Sequence, residues 1–214
     1  AEGRVSVRKL PDGAKWHYRY DGNGNMNETE DPEGGHTFYY HENGLLTMIK
    51  DAEDGMTLLS HDERGNVKSV TDPAGVTVCY EWDELGRATA ESDAEGNRTL
   101  YAYDEWNRVT MVTAPDGTTR NYRYDACGKV SEITCSDGTR QSWEYDAFGK
   151  AVSHTDEDGN VTKAEHDGAS GEETVTLPGG GRISYGYDPL SRLTKGTDPL
   201  GRSTMYSYDR AGNL

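Results

Sequence analysis

The sequence predicts an all-β fold, a long antiparallel array of hairpin units of about 21 residues each. Three observations carry that prediction. An aspartate returns at a constant step, at Asp62, Asp83, Asp104, Asp125, Asp146, Asp167, Asp188 and Asp209; Asp21 opens the series, and Glu42 takes the slot in a copy one residue short. Each copy carries two chain-reversal signals about ten residues apart. Between the reversals lie segments of roughly seven residues rich in Val, Thr, Tyr and Trp, which is strand composition.

The first reversal of each copy reads Asp-x-x-Gly, as in Asp21-Gly22-Asn23-Gly24, Asp83-Glu84-Leu85-Gly86 and Asp146-Ala147-Phe148-Gly149. The second reaches Asp-Pro-x-Gly in its fullest form, at Asp31-Pro32-Glu33-Gly34, Asp72-Pro73-Ala74-Gly75 and Asp198-Pro199-Leu200-Gly201. Type I turns favour Asp first, Pro second and Gly fourth, where the chain takes positive φ, so both signals encode one kind of turn. Asn107 replaces the glycine in one copy and tolerates left-handed φ next best. Ser170 and Ser191 occupy the same slot without that advantage.

Just before each first reversal two aromatics alternate: Tyr18 and Tyr20, Tyr80 and Trp82, Tyr101 and Tyr103, Tyr122 and Tyr124, Trp143 and Tyr145, Tyr185 and Tyr187, Tyr206 and Tyr208. A spacing of two puts both rings on one face of a strand. After the reversal the apolar residues fall three apart, at Val67 and Val70, Val109 and Val112, Val130 and Ile133. That breaks strict alternation and predicts a β-bulge. Short segments bounded by Gly and Pro leave no room for helices.

The copies are not uniform. Residues 1–60 diverge most, with His41 and Glu42 replacing the Tyr-Asp pair and Asp54-Gly55 reading as a shifted second turn. From His61 to Asp167 they are regular. The next is loaded with glycine, at Gly168, Gly171 and Gly179-Gly180-Gly181. It reads either as a drifted turn in a tolerant array or as a hinge or processing site. No linker divides the chain, so residues 1–214 are expected to form a single array. Gly3 already sits in a Gly slot and Gly212-Asn213-Leu214 stops just after a turn, so both ends are expected to lie inside repeats of something longer. About 19 strands at about 4.8 Å spacing would make a sheet near 90 Å wide, and twisted sheets of that width curl.

Leu, Ile, Val and Phe make up only about 14% of the chain, and the net charge is −16, a balance that ordinarily means disorder. Here 14 tyrosines and 4 tryptophans at fixed phase supply the area to be buried, and the expected core is a thin aromatic ladder. The acidic balance excludes nucleic acid as a partner, since phosphate contacts need clustered Lys and Arg. No apolar run approaches a membrane span, and the opening residues are not expected to be a signal peptide.

No residue is assigned a catalytic, cofactor-binding or metal-binding role. His41, His61 and His166 stand in the ladder's Tyr slot, one repeat or more apart, too far to converge on one ion. Asp156-Glu157-Asp158-Gly159-Asn160 resembles part of a calcium loop but lacks the distal glutamate, so it reads as a turn. Cys79, Cys127 and Cys135 are odd in number and without metal-site spacing, which predicts free thiols. A carboxylate recurring at the same turn position in every copy is turn chemistry, whereas a catalytic site would be singular. The chain is not expected to be an enzyme, and no cofactor is expected.

Tyr187-Asp188-Pro189-Leu190-Ser191-Arg192-Leu193, with Thr197-Asp198-Pro199-Leu200-Gly201 and Tyr206-Ser207-Tyr208-Asp209, resembles the repeat of the Rhs/YD-repeat family. The resemblance covers the whole chain. The family includes bacterial Rhs polymorphic toxins, the B and C components of Tc insecticidal toxins, and animal teneurins. It implies that the repeats form a long sheet spiralling into a hollow shell, a β-cocoon. In bacterial members the shell encloses a C-terminal toxin domain before delivery, often by type VI secretion. The implied partners are the rest of the chain's own Rhs polypeptide and the enclosed toxin, with secretion spike proteins beyond them. The implied localisation is synthesis in the bacterial cytoplasm followed by secretion or surface display. The family's C-terminal core and a toxin domain are not recognisable here. The alternative is a binding module whose aromatic rows contact carbohydrate or a cell surface, although the Gly-Trp signatures of such repeats are missing.

Overall fold

The computed structural model describes residues 3–214. Backbone contacts divide the chain into two units, residues 1–102 and 103–214. The first carries strands β1 (Val7–Lys9), β2 (Lys15–Tyr20), β3 (Met26–Glu30), β4 (His36–Glu42), β5 (Leu45–Lys50), β6 (Met56–His61), β7 (Val67–Thr71), β8 (Thr77–Trp82), β9 (Ala88–Ser92) and β10 (Arg98–Tyr103). The second carries β11 (Val109–Thr113), β12 (Thr119–Tyr124), β13 (Val130–Cys135), β14 (Arg140–Tyr145) and β15 (Ala151–Thr155). It continues with β16 (Val161–Asp167), β17 (Glu172–Thr176), β18 (Arg182–Tyr187), β19 (Leu193–Thr197) and β20 (Ser203–Met205). The twenty strands, one more than expected, are the only regular elements among the described residues.

Within each unit every strand pairs antiparallel with its neighbours in sequence, as β2 does with β1 and β3 and β13 with β12 and β14. Each unit is therefore an up-and-down meander, and no second layer packs on it among the described contacts. The reversals that make this possible share one geometry. In the Asp83 turn, the Gly86 N–H donates to the Asp83 carbonyl at 3.1 Å and the Asp83 N–H to the Arg87 carbonyl at 2.9 Å, with Gly86 at φ 75°. That is a type I turn closed by a left-handed glycine, the three-residue hairpin loop.

Departures from the consensus are accommodated locally. Asn107 and Ser191 do enter the left-handed region, at φ 64° and 60°. Ser170 does not: the reversal widens there to an Asp167–Gly171 hydrogen bond of 2.9 Å, and Gly171 takes positive φ instead. The short copy at Glu42 closes through Asn43 and Gly44, both at positive φ, with Glu42 opposite Leu45, a two-residue type I′ turn. The expected shift at Asp54-Gly55 is corrected. Asp51 makes the usual turn bonds and Asp54, at φ 66°, fills the glycine slot in ordinary register.

The apolar spacing of three has the predicted cause. At His61 the pairing jumps from Ser60↔Ser69 to His61↔Val67, and at Tyr124 from Arg123↔Glu132 to Tyr124↔Val130. One residue, Lys68 or Ser131, is left unpaired. The β16–β17 hairpin has no such jump, running His166↔Glu173 and Asp167↔Glu172. Its wider turn absorbs the residue that other copies place in the bulge.

The two faces of the meander differ. Along β4, β6 and β16 exposed and half-buried residues alternate, and the half-buried set includes Tyr39, His41, Leu59, His61 and His166. The opposite face carries ion pairs across strands: Glu28 between Arg19 (2.6 Å) and His36 (2.8 Å), Glu132 between Arg123 and Arg140, Glu165 with Arg182. It is interrupted in the first unit by exposed Phe38, Tyr40, Met56 and Leu58. Only Ala90 and Thr29 are fully buried among the described residues, so the ladder is half-covered and not a closed core. The accessible surface is 14725 Å². Two separate compact bodies of the same total mass would expose only about 11,800 Å².

Candidate functional site: an aromatic column and the cleft beside it

The residue before each turn aspartate belongs to a column that ties each copy to the one before it. Tyr20 Oη donates to the Val5 carbonyl at 3.0 Å, Trp82 Nε1 to Val67 at 2.7 Å, Tyr124 to Val109 at 2.6 Å, Tyr145 to Val130 at 2.8 Å and Tyr208 to Leu193 at 2.9 Å. Each acceptor lies 15 residues back, at or beside the start of the preceding strand, and at Val67, Val130 and Leu193 the pairing register shifts at that residue. His166, in the Tyr slot, keeps the contact through Nε2 to the Ala151 carbonyl at 3.3 Å. His166 is thus a rung, and His41 and His61 are half-buried in the same slot; no group of three His, Cys, Asp or Glu among the described residues is placed to hold a metal ion.

A second link covers the rings. In four copies a cation of the preceding copy reaches over the column ring: Arg4 over Tyr20, Arg108 over Tyr124 (4.4 Å from guanidinium carbon to ring centre), Lys129 over Tyr145 (5.4 Å) and Arg192 over Tyr208 (4.6 Å). The last three stand four residues past a turn aspartate, a place held by Asn25 and Asn66 after Asp21 and Asp62. Arg108 and Arg192 are held from below by their own turn aspartates, Asp104 and Asp188, at 2.7 Å. Asp83 shows the electrostatics. The Arg87 backbone N–H holds its carboxyl below the ordinary 3.8, against the opposing effect of burial, and the Arg87 side chain adds to the lowering. Where the slot lacks aspartate, as at Ala114 and Cys135, Asp116 and Asp137 two residues later accept from the Thr118 and Thr139 N–H groups instead. Cys79, Cys127 and Cys135 are free thiols. Asp156 makes the ordinary turn bonds, to Asp158 and Asn160.

The column is interrupted at Tyr187. In the glycine-rich copy the covering position is Gly171, at φ 68°, where a Cβ would stand 3.2 Å from the Tyr187 carbonyl oxygen. Tyr187 has neither a cation over its ring nor the bond 15 residues back among the described contacts, and it is the one column member classed as exposed. Beside it opens a cleft of about 830 Å³, lined by residues at the first reversals of three successive copies, from Asp146 to Ser191. Its rings are Phe148, His166 and Tyr187, and its carboxylates Asp146, Asp167, Glu172, Glu173 and Asp188, with Lys150 the single lysine. Asp167 Oδ2 is taken by Ser170 Oγ at 2.6 Å, and Asp188 by Arg192. Glu173 lies 3.6 Å from His166 Nδ1, a buried nitrogen with no hydrogen-bond partner. Sequence reading singled out this copy for its glycines but not the cleft, since the missing cation is visible only once Gly171 and Tyr187 are known to face each other.

The Teneurin YD-shell family matches residues 39–214, and the RHS Repeat family matches residues 1–36. No curated protein matches the sequence significantly. Among solved structures, the crystal structure of TcdB2-TccC3-Cdc42 is similar with a TM-score of 0.58 and 13% identity over 95% of this chain and 15% of that one. The crystal structure of TcdB2-TccC3-TEV matches with a TM-score of 0.58 and 14% identity over 95% of this chain and 14% of that one. At such identity the likeness is one of fold, and this chain spans about one seventh of the length of those it matches.

Proposed function

Because the chain belongs to the YD-shell family of RHS-repeat proteins, we propose that it is a stretch of wall in a β-shell that encloses a C-terminal toxin carried by its own longer polypeptide. The observation that carries this reading is the layering. Each unit is a single sheet with a half-covered aromatic face and a charged outer face, and it pairs only along the chain. Such a strip can be lengthened copy by copy without a globular core, which is what a container wall needs. On this reading the chain's role is structural.

The implied partners are the remainder of the same polypeptide and the enclosed toxin, with delivery by a secretion spike after synthesis in a bacterial cytoplasm. The test is limited proteolysis of the longer polypeptide. A C-terminal segment that resists protease while the repeats are intact, and is degraded once a turn glycine in several copies is replaced, supports enclosure. Equal protease sensitivity in both forms overturns it. The carbohydrate-binding alternative has weaker support, because every described column ring, Tyr187 at 36% exposure included, is at least half-covered; binding of this chain to glycans at unaltered affinity after Tyr187→Leu would revive it.

A further inference from the structure

We infer that the cleft beside Tyr187 receives an arginine side chain from another polypeptide segment. Every other described ring contact of this kind is internal. Arg4, Arg108, Lys129 and Arg192 each lay a cation on the ring of the following copy, and Arg108 and Arg192 are simultaneously held by a carboxylate. A cation over an aromatic face contributes about 0.5–1 kcal/mol where exposed and more where water is excluded. The Asp167 copy keeps the carboxylates and the following tyrosine ring and omits the cation. The Asp62 copy also omits it, with Asn66 in that place, but there Trp82 keeps its bond to the Val67 carbonyl, for which Tyr187 has no counterpart among the described contacts.

It omits the cation for a backbone reason. The widened turn puts residue 171 at φ 68° with its Cβ position against the Tyr187 carbonyl, so only glycine fits without strain. The volume a side chain would have filled is the cleft. Three features of it match a guanidinium in particular. Tyr187 is 36% exposed and has no described cation over its ring, which leaves part of a stacking plane open. Glu172 and Glu173 are acceptors not committed to the turn, and Glu173 has only the distant His166 Nδ1 beside it. Phe148, 92% exposed at the lip, offers an apolar wall to the methylenes of a long side chain. The opening of about 830 Å³ admits such a side chain with flanking backbone, whereas a bare metal ion would find no converging ligand set.

The test uses the full 214-residue chain, with tyrosine rings isotopically labelled, titrated with N-acetyl-arginine methylamide and, separately, with its neutral isostere N-acetyl-citrulline methylamide. Saturable shifts centred on the Tyr187 ring are expected for the arginine compound, with the citrulline compound at least tenfold weaker. Glu173→Gln should weaken the arginine compound at least threefold and Tyr187→Leu should remove it, while the shifts at Tyr124 and Tyr208 stay small throughout. Equal affinity for the two compounds overturns the inference. So do unsaturable shifts spread evenly over all tyrosines, which would report only general attraction to a chain of charge −16. Should Tyr187→Leu fail to fold, the compound pair and Glu173→Gln decide alone.

Discussion

At the scale of the residue, the repeated Tyr-Asp pair does two jobs with adjacent side chains. The aspartate satisfies its own turn, and the tyrosine donates to a carbonyl at or beside the start of the preceding strand. A hydrogen bond of this kind contributes about 0.5–1.5 kcal/mol net. Tyr124→Phe, which removes only the 2.6 Å contact to Val109, is therefore expected to destabilise by about 1 kcal/mol in urea unfolding. Tyr187→Phe, whose hydroxyl makes no such contact, is expected to fall within a few tenths of the parent. Equal losses would show that the column bond contributes nothing.

The turn is the element on which the strands depend. Gly86 and Gly149 sit at φ 75° and 78°, where a β-branched side chain is strained. Gly86→Val and Gly149→Val are each expected to lower stability by about 1–3 kcal/mol, and Ser191→Gly, which relieves φ 60°, to raise it by up to about 1 kcal/mol. Urea midpoints would report both signs, and an unchanged Gly149→Val midpoint would contradict the turn assignment. The turn carboxylates also set the acid limit. Asp21, Asp83, Asp188 and Asp209 are all held below the ordinary 3.8, first by the backbone N–H four residues on. A carboxyl depressed in the folded state contributes stability that is complete above its unfolded value and lost as pH falls through the folded one. The melting temperature should therefore be level from neutrality down to about pH 5 and drop steeply below about pH 4. Stability that rises on acidification through that window would mean the carboxylates repel more than they cap.

Across the whole molecule, stability is distributed along the chain and not gathered in a centre. Strands touch only their sequence neighbours within each unit, so a local fault has few routes outward. Gly149→Val should accelerate amide exchange in β13 to β16 and leave β2 to β6 at parent rates; a uniform acceleration would demonstrate all-or-none unfolding. The outer edges of β1 and β20, three residues each, have no strand partner among the described residues and can template pairing with another chain. A charge of −16 opposes that association, but salt screens it beyond about 10 Å at 0.1 M. Sedimentation at fixed concentration should show dimers or larger species growing in as salt is raised, and a monomer at every salt would show that such short strands protect themselves.

The positions of the reversals, the strand class and the single-faced aromatic pairs were legible from residues alone. These are local matters: a type I turn needs Asp and Gly at fixed offsets, and a strand's side chains alternate whatever lies beside it. Even the bulge was legible, because Val130 and Ile133 could not otherwise share a face. The accommodation of Ser170, the unshifted turn at Asp54, the half-covered state of the ladder and the gap over Tyr187 were decided by tertiary structure. Each depends on partners brought alongside by register. The reach from Tyr124 to the Val109 carbonyl crosses 15 residues of chain, and the empty place over Tyr187 exists only because pairing sets Gly171 opposite it.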